Sequence, residues 1–172
     1  MADANLLVTY DPAHAARAED EVRGVLGAVG EAAKFLKSDI EGVFLLYTVK
    51  DPKAIARELR KYGKANKGQF RYTYHWVPIE IWVKSDFAAI GKVLSGFDKK
   101  MDPAKSWKLD VVKRHFEKAS VTDLILKLTE HIDKPKVDLK KPDVVVKVEI
   151  LGDKTGCSLL SADELLDAAE LR

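Results

Sequence analysis

Twice in the first half of this chain a short apolar run meets an Asp-Pro pair, at Asp11-Pro12 and at Asp51-Pro52. Such a pair starts a helix. The Asp side chain accepts backbone N–H bonds as an N-cap, and Pro suits the first helical position because no donor is lost there. Residues 5–10 (NLLVTY) precede the first pair and predict a strand. After it, Ala15, Ala18, Val22, Val25, Leu26 and Val29 recur at helical spacing. Residues 31–37 predict a second strand and residues 42–49 a stronger third. The second pair then opens a helix with Ile55, Leu59 and Tyr62 on one side, and Gly63 and Gly68 bracket its exit. An aromatic strand follows at 70–77.

The resulting order, β-α-β-β-α-β, is that of the ferredoxin-like fold, with two helices on one face of a four-stranded antiparallel sheet. Pro78 disfavours a central strand and marks a bend, so the domain boundary is expected near Lys84. This gives an N-terminal domain at 1–84 and a second domain at 85–172. In the second, Ser85 is expected to cap a helix bearing Phe87, Ile90, Val93 and Leu94. Gly96-Phe97-Asp98 should break that helix, and a short helix should end near Met101. Residues 107–114 alternate as a strand, with Trp107, Leu109 and Val111 on one face. Ser120 and Asp123 form a capping signal for a helix with Leu124, Ile125, Leu128 and Ile132 as its buried stripe. A lysine-bearing loop leads into the β-branched strand 144–150. A Gly-Asp turn and a strand at 155–160 come next. Residues 161–164 repeat the capping signal for a short acidic helix. The whole is a mixed α/β (α+β) chain.

At 172 residues the chain has room for one domain or two small ones, and at 47% hydrophobic it can bury a real core. It contains no apolar run of about 18 residues that could span a bilayer. The first residues lack the basic and apolar blocks of a secretory signal. A single cysteine, Cys157, excludes an internal disulfide and a cysteine zinc cage. A cytoplasmic location is expected. Net charge is only +2, but residues 36–141 carry about +9 and the two ends together −7. A basic centre is what phosphate binding requires.

The strand ending in Lys113-Arg114, the helix starting at Ser120 and the block VDLKKPDVVVKVEI (137–150) resemble a THUMP domain, a module that captures RNA in tRNA-modifying systems. The N-terminal half resembles the ferredoxin-like domain that precedes THUMP in such proteins, and Trp76, Pro78, Ile79 and Glu80 resemble the junction. Within the family the chain is most similar to stand-alone adaptors that bind tRNA for a separate acetyltransferase forming N4-acetylcytidine. The resemblance implies tRNA and that enzyme as partners, the acceptor end as the captured part, and no cofactor. Only twelve residues follow Leu160, so no fused modification domain is expected.

The basic residues likewise suggest where RNA would sit. Lys105, Lys108, Lys113, Arg114, His115 and Lys118 surround the 107–114 strand and the start of the next helix. Ser120 offers that helix's backbone N–H groups, and Lys136, Lys140 and Lys141 line the later loop. Trp107 could stack on a base, but a core position is the expected one.

No catalytic constellation accompanies these residues. Gly24, Gly27 and Gly30 have no preceding strand and no following Lys-Ser or Lys-Thr, so they form no phosphate loop. His14, His75, His115 and His131 show no metal spacing. Glu80 and Glu149 on apolar strands are expected to cap or to form salt bridges. The expected function is therefore a tRNA-binding adaptor and not an enzyme. The alternative is a protein-interaction or assembly module that makes no direct RNA contact.

Overall fold

The computed structural model describes residues 3–172. The chain divides into two compact units, Met1–Ile79 with Asp163–Arg172, and Glu80–Ala162. The break thus falls five residues before the expected Lys84, immediately after Ile79. In addition, the last ten residues return to the first unit.

The first unit contains β1 (Leu6–Tyr10), α1 (Ala15–Ala28), β2 (Lys34–Leu36), β3 (Val43–Tyr47), α2 (Pro52–Ala65), β4 (Thr73–Pro78) and β9 (Leu166–Asp167). Its sheet runs β2-β3-β1-β4-β9, every neighbouring pair antiparallel. The first four strands have the ferredoxin-like order, and β9 extends it. Both Asp-Pro pairs cap as expected: Asp11 Oδ1 accepts from Ala13 N and Asp51 Oδ1 from Lys53 N. At Asp11, however, the chain first makes a 3-10 turn over Pro12–His14 before α1 begins. The core joins Leu6 and Val8 of β1 to Leu26 of α1, Leu59 of α2 and Trp76 of β4.

In place of the expected acidic helix, the C-terminal segment forms a 3-10 turn (Ala162–Glu164), the two-residue β9 and a second turn (Ala168–Leu171). Leu166, Ala168 and Leu171 are fully buried in the first core. Two arginines of α2 fasten the segment. Arg57 pairs with Asp163 and Glu164, and Arg60 pairs with Glu170 and donates to Leu165 O.

The second unit contains β5 (Ile81–Lys84), α3 (Phe87–Lys100), β6 (Trp107–Arg114), α4 (Val121–Thr129), β7 (Val144–Leu151) and β8 (Lys154–Ser161), with sheet order β5-β8-β7-β6. β6 and β7 are parallel, register Trp107↔Val144 to Arg114↔Leu151, and α4 makes the crossover between them. The cap of α3 is Asp86, not Ser85: its carboxylate accepts from Ala89 N at 2.7 Å. Ser85 instead hydrogen-bonds Thr155 inside the unit. Gly96 does not break α3, which runs on to Lys100. Ser120 caps α4 as expected, accepting from Asp123 N. At the β7–β8 hairpin, Gly152 adopts φ +61, which a side chain would oppose.

Val146, Val148 and Ile150 of β7 join Leu94, Leu124 and Leu128 in the core of this unit. The alternate residues Lys147 and Glu149 belong to the opposite face of the strand.

Candidate nucleic-acid interface

The parallel β6–β7 pair sorts the sequence-predicted residues into two groups. Each strand has eight residues, so its ends lie about 23 Å apart. Lys113, Arg114, His115, Lys118 and Ser120 gather at the C-terminal end of β6. Lys105, Lys136, Lys140 and Lys141 gather at the N-terminal end, with Lys108 on the second residue of the strand. The ten residues therefore do not form one site.

At the C-terminal end the charges are largely engaged within the protein. Arg114 Nη1 donates to Glu149 Oε2 at 2.9 Å, and Glu149 is 2% exposed. Lys147 Nζ lies 3.2 Å from the same carboxylate and 2.8 Å from Asp110. Lys113 Nζ donates to Phe116 O and lies 3.9 Å from Glu117. Ser120 spends its hydroxyl on the α4 cap. His115 is exposed in a left-handed turn, φ 55, alone among the described non-glycine residues. This group holds β6, β7 and the turn after β6 together. Its single unengaged cation among the sequence-predicted residues is the exposed Lys118.

At the N-terminal end, a loop of defined shape carries the lysines. Trp107 N donates to Lys136 O and Asp138 N donates to Trp107 O, which ties the loop to the start of β6. Trp107 itself is 3% exposed, and its indole Nε1–H donates to Lys134 O at 3.1 Å. It is a core residue that also anchors the loop. Asp138 Oδ1 accepts from Lys140 N at 2.9 Å and Lys141 N at 3.0 Å, and these two bonds hold its carboxyl below the ordinary carboxylate value. Ser106 and Asp143 close the loop by three mutual bonds.

Four carboxylates here are turned onto backbone N–H groups: Asp98, Asp102, Asp138 and Asp143. Asp98 also pairs with Lys134 at 2.8 Å, chiefly through that bond holding its carboxyl low. Lys105, Lys136, Lys140 and Lys141 are exposed, though Lys136 Nζ also donates to Ala104 O. Sequence reading missed Lys99 and Lys100, both exposed in the last turn of α3 next to Asp98. The doubled lysine was visible, but it was expected in a separate short helix ending near Met101, and no link from there to the 134–143 loop was drawn.

The other candidates are structural. Glu80 Oε1 accepts from Leu159 N at 2.7 Å. Cys157 is buried, and burial pushes its thiol up to about 12, so the thiolate that would react is scarce. Among the described residues no group of His, Cys, Asp and Glu could hold a metal ion, and no helix is long and apolar enough to cross a membrane.

With this geometry in hand, the comparisons are specific. Residues 84–160 match the family described as THUMP domain. These residues form a THUMP domain. Among solved structures, the chain is similar to PH1313 from Pyrococcus horikoshii at 13% identity and TM-score 0.62, covering 92% of this chain and 55% of that one. It is similar to TrmN from Thermus thermophilus at 14% identity and TM-score 0.56, covering 90% and 44%. It is also similar to a 4-thiouridine synthetase, solved as an RNA complex with bound ATP, at 16% identity and TM-score 0.53, covering 96% and 42%. At these identities the likeness is one of fold. The chain spans about half the length of the solved proteins it matches. No curated protein matches it. The THUMP domain thus coincides with the second unit, from the end of β5 to the end of β8, and both basic groups lie within it.

Proposed function

We propose that this chain binds tRNA through its THUMP domain, takes hold of the acceptor end, and presents the RNA to a separate modification enzyme, an acetyltransferase forming N4-acetylcytidine. The observation that carries the tRNA-binding part is a THUMP domain whose 134–143 loop is held rigid by backbone bonds while Lys136, Lys140 and Lys141 stand exposed on it. Ammonium groups placed this way neutralise phosphates and orient RNA without reading its sequence. A protein of similar fold was solved with RNA, which agrees with the assignment. The adaptor part rests on the sequence resemblance. It is supported by the roles of the buried charged groups: Glu149 and Lys147 pair with each other and their neighbours, Glu31 caps the backbone at Val49 and Lys50, and Glu164 pairs with Arg57.

The test is binding of whole tRNA and of an acceptor-arm hairpin across a salt series, with wild type and with Lys136→Glu, Lys140→Glu and Lys141→Glu combined. The triple variant should fold normally and bind both RNAs more weakly. Its plot of log affinity against log salt should flatten by about one unit per lost phosphate contact. An unchanged affinity in the folded variant would move the RNA site away from this loop. The full chain incubated with tRNA and acetyl-CoA, S-adenosylmethionine or ATP should yield no new nucleoside by mass spectrometry. A modified base formed without a second protein would refute the adaptor reading.

A further inference from the structure

The sheet of the second unit has an open edge. β6 pairs with β7 on one side and with no strand on the other. Among the described strands with a free side it is the longest, eight residues against four in β5, three in β2 and two in β9. The N–H and C=O of one strand residue point to the same side, and successive residues alternate. Ser106 O accepts from Val144 N, and Arg114 O accepts from Gly152 N, so both residues face β7. Trp107 faces outward, onto Lys136 O and Asp138 N. By alternation, Leu109, Val111 and Lys113 face outward too. Among the described residues, no group bonds their N–H and C=O groups. The chain occupies the start of this row itself, with a single parallel bridge from Val137 to Trp107. Beyond it, the row is a template on which another extended chain can pair.

The side chains along the edge select what pairs there. Leu109 and Val111 offer an apolar row on the face that packs under α3 and α4. On the other face, Lys108 is half-buried and has no ion-pair partner among the described residues. Lys105 and Lys136 are exposed near one end and Lys118 near the other. The carboxylates next to the row are engaged. Asp110 lies 2.8 Å from Lys147 Nζ, and Glu117 lies 3.9 Å from Lys113 Nζ. A second copy of β6, laid antiparallel so that all three outward residues pair, would set Lys108 opposite Arg114 of that copy and Leu109 opposite Lys113. Like charges placed opposite repel, and natural edges use lysine in this way against self-pairing. An acidic chain meets the opposite sign instead.

We propose that the open edge of β6 takes an extended acidic segment of a partner protein. The segment adds a strand of about five residues, ~17 Å long, beside residues 109–113. Its alternate side chains lie beside Leu109 and Val111, and a carboxylate on its other face meets Lys108. This rests on the adaptor reading and deepens it. That reading requires a second protein, and the edge gives that protein a docking place.

The probe is a short peptide of alternating glutamate and valine, added to the full chain while amide hydrogen exchange is followed residue by residue by NMR. In the free protein the amides of Leu109, Val111 and Lys113 should exchange about a hundred-fold faster than those of Lys108, Asp110 and Val112, which face β7. The peptide should slow the three outward amides by about ten-fold and leave the inward ones unchanged. Two further peptides carry N-methyl groups, one on its valine amides and one on its glutamate amides. One of them should bind about ten-fold more weakly and the other like the parent, because a single edge of the added strand faces β6. Lys108→Glu should weaken the parent peptide by about ten-fold, and a lysine–valine peptide should not bind. No slowing at the three outward amides overturns the proposal. Full binding by both methylated peptides also overturns it, because the contact would then not be made by the main chain. If the peptide has no effect and the same amides are slowed by tRNA, or by raising the protein concentration, the edge belongs to RNA or to a second copy and the proposal falls. Nucleoside analysis of the chain with tRNA tests the adaptor reading separately, so its failure and that of the edge are distinguishable.

Discussion

Trp107 ties stability to the candidate interface through a single residue. Its ring fills the core under α3 and α4, its indole N–H holds Lys134 O, and its peptide groups hold Lys136 and Asp138. Trp107→Ala should cost about 3–5 kcal/mol, visible as a lower melting temperature, and should speed hydrogen exchange at the Asp138 amide. Asp138 acts more locally. Its depressed carboxyl pKa means the charged form is favoured in the fold, so the bonds to Lys140 and Lys141 are complete above the ordinary value of 3.8 and are lost as pH falls through the lower folded value. Asp138→Ala should accelerate exchange of the Lys140 and Lys141 amides at neutral pH while leaving the melting temperature nearly unchanged. A protected loop in that variant would show that the side chain is not its brace. Arg114, chosen from sequence for RNA, stands against buried Glu149. Arg114→Ala should cost about 1–3 kcal/mol of stability by leaving that carboxylate with Lys147 alone. Loss of RNA affinity without loss of stability would return Arg114 to the interface.

Among the elements, those governed by local physics were legible in the sequence. β6 was readable to the residue because its faces alternate, and the start of α4 was readable because Ser120 caps it. The misreadings have long-range causes. Ser85 and Asp86 both suit a cap, and only the pairing of Ser85 with Thr155, seventy residues on, leaves Asp86 to do it. Gly96 continues α3 because Phe97 and Met101 beyond it are buried in the core, and tertiary burial outweighs the propensity cost of one glycine. Gly91, on the same helix, admits the ring of His131, which a methyl group there would overlap. The C-terminal residues looked like a capped helix, but Leu166 pairs with Trp76 of β4 and Leu171 fits against Gly63 of α2. Nothing in the local pattern announces those partners. Leu171→Ala should therefore cost the first unit about 2–5 kcal/mol, measured by denaturant unfolding. A change under half a kcal/mol would show the segment to be loosely held.

For the molecule as a whole, the ferredoxin-like order and the THUMP domain were both readable, the first from its doubled Asp-Pro junction and the second from the 137–150 block. The candidate site was readable only in composition. Lys105, Lys108, Lys113 and Arg114 look contiguous in sequence, but an eight-residue strand carries the first and last of them to opposite ends of the sheet. Lysines that seemed distant, at 99–105 and 136–141, meet at one end through α3 and the loop. The sheet of the second unit thus has one basic end whose charges are largely engaged within the protein and one that faces solvent from a braced loop. Lysine-reactivity footprinting of the full chain by mass spectrometry, with and without tRNA, tests this most directly. Lys136, Lys140 and Lys141 should become protected when tRNA is added, with Lys99, Lys100 and Lys105 following, while Lys113 and Lys118 keep their free-protein reactivity. Protection confined to Lys113 and Lys118, or no protection at the loop with tRNA bound, would contradict it.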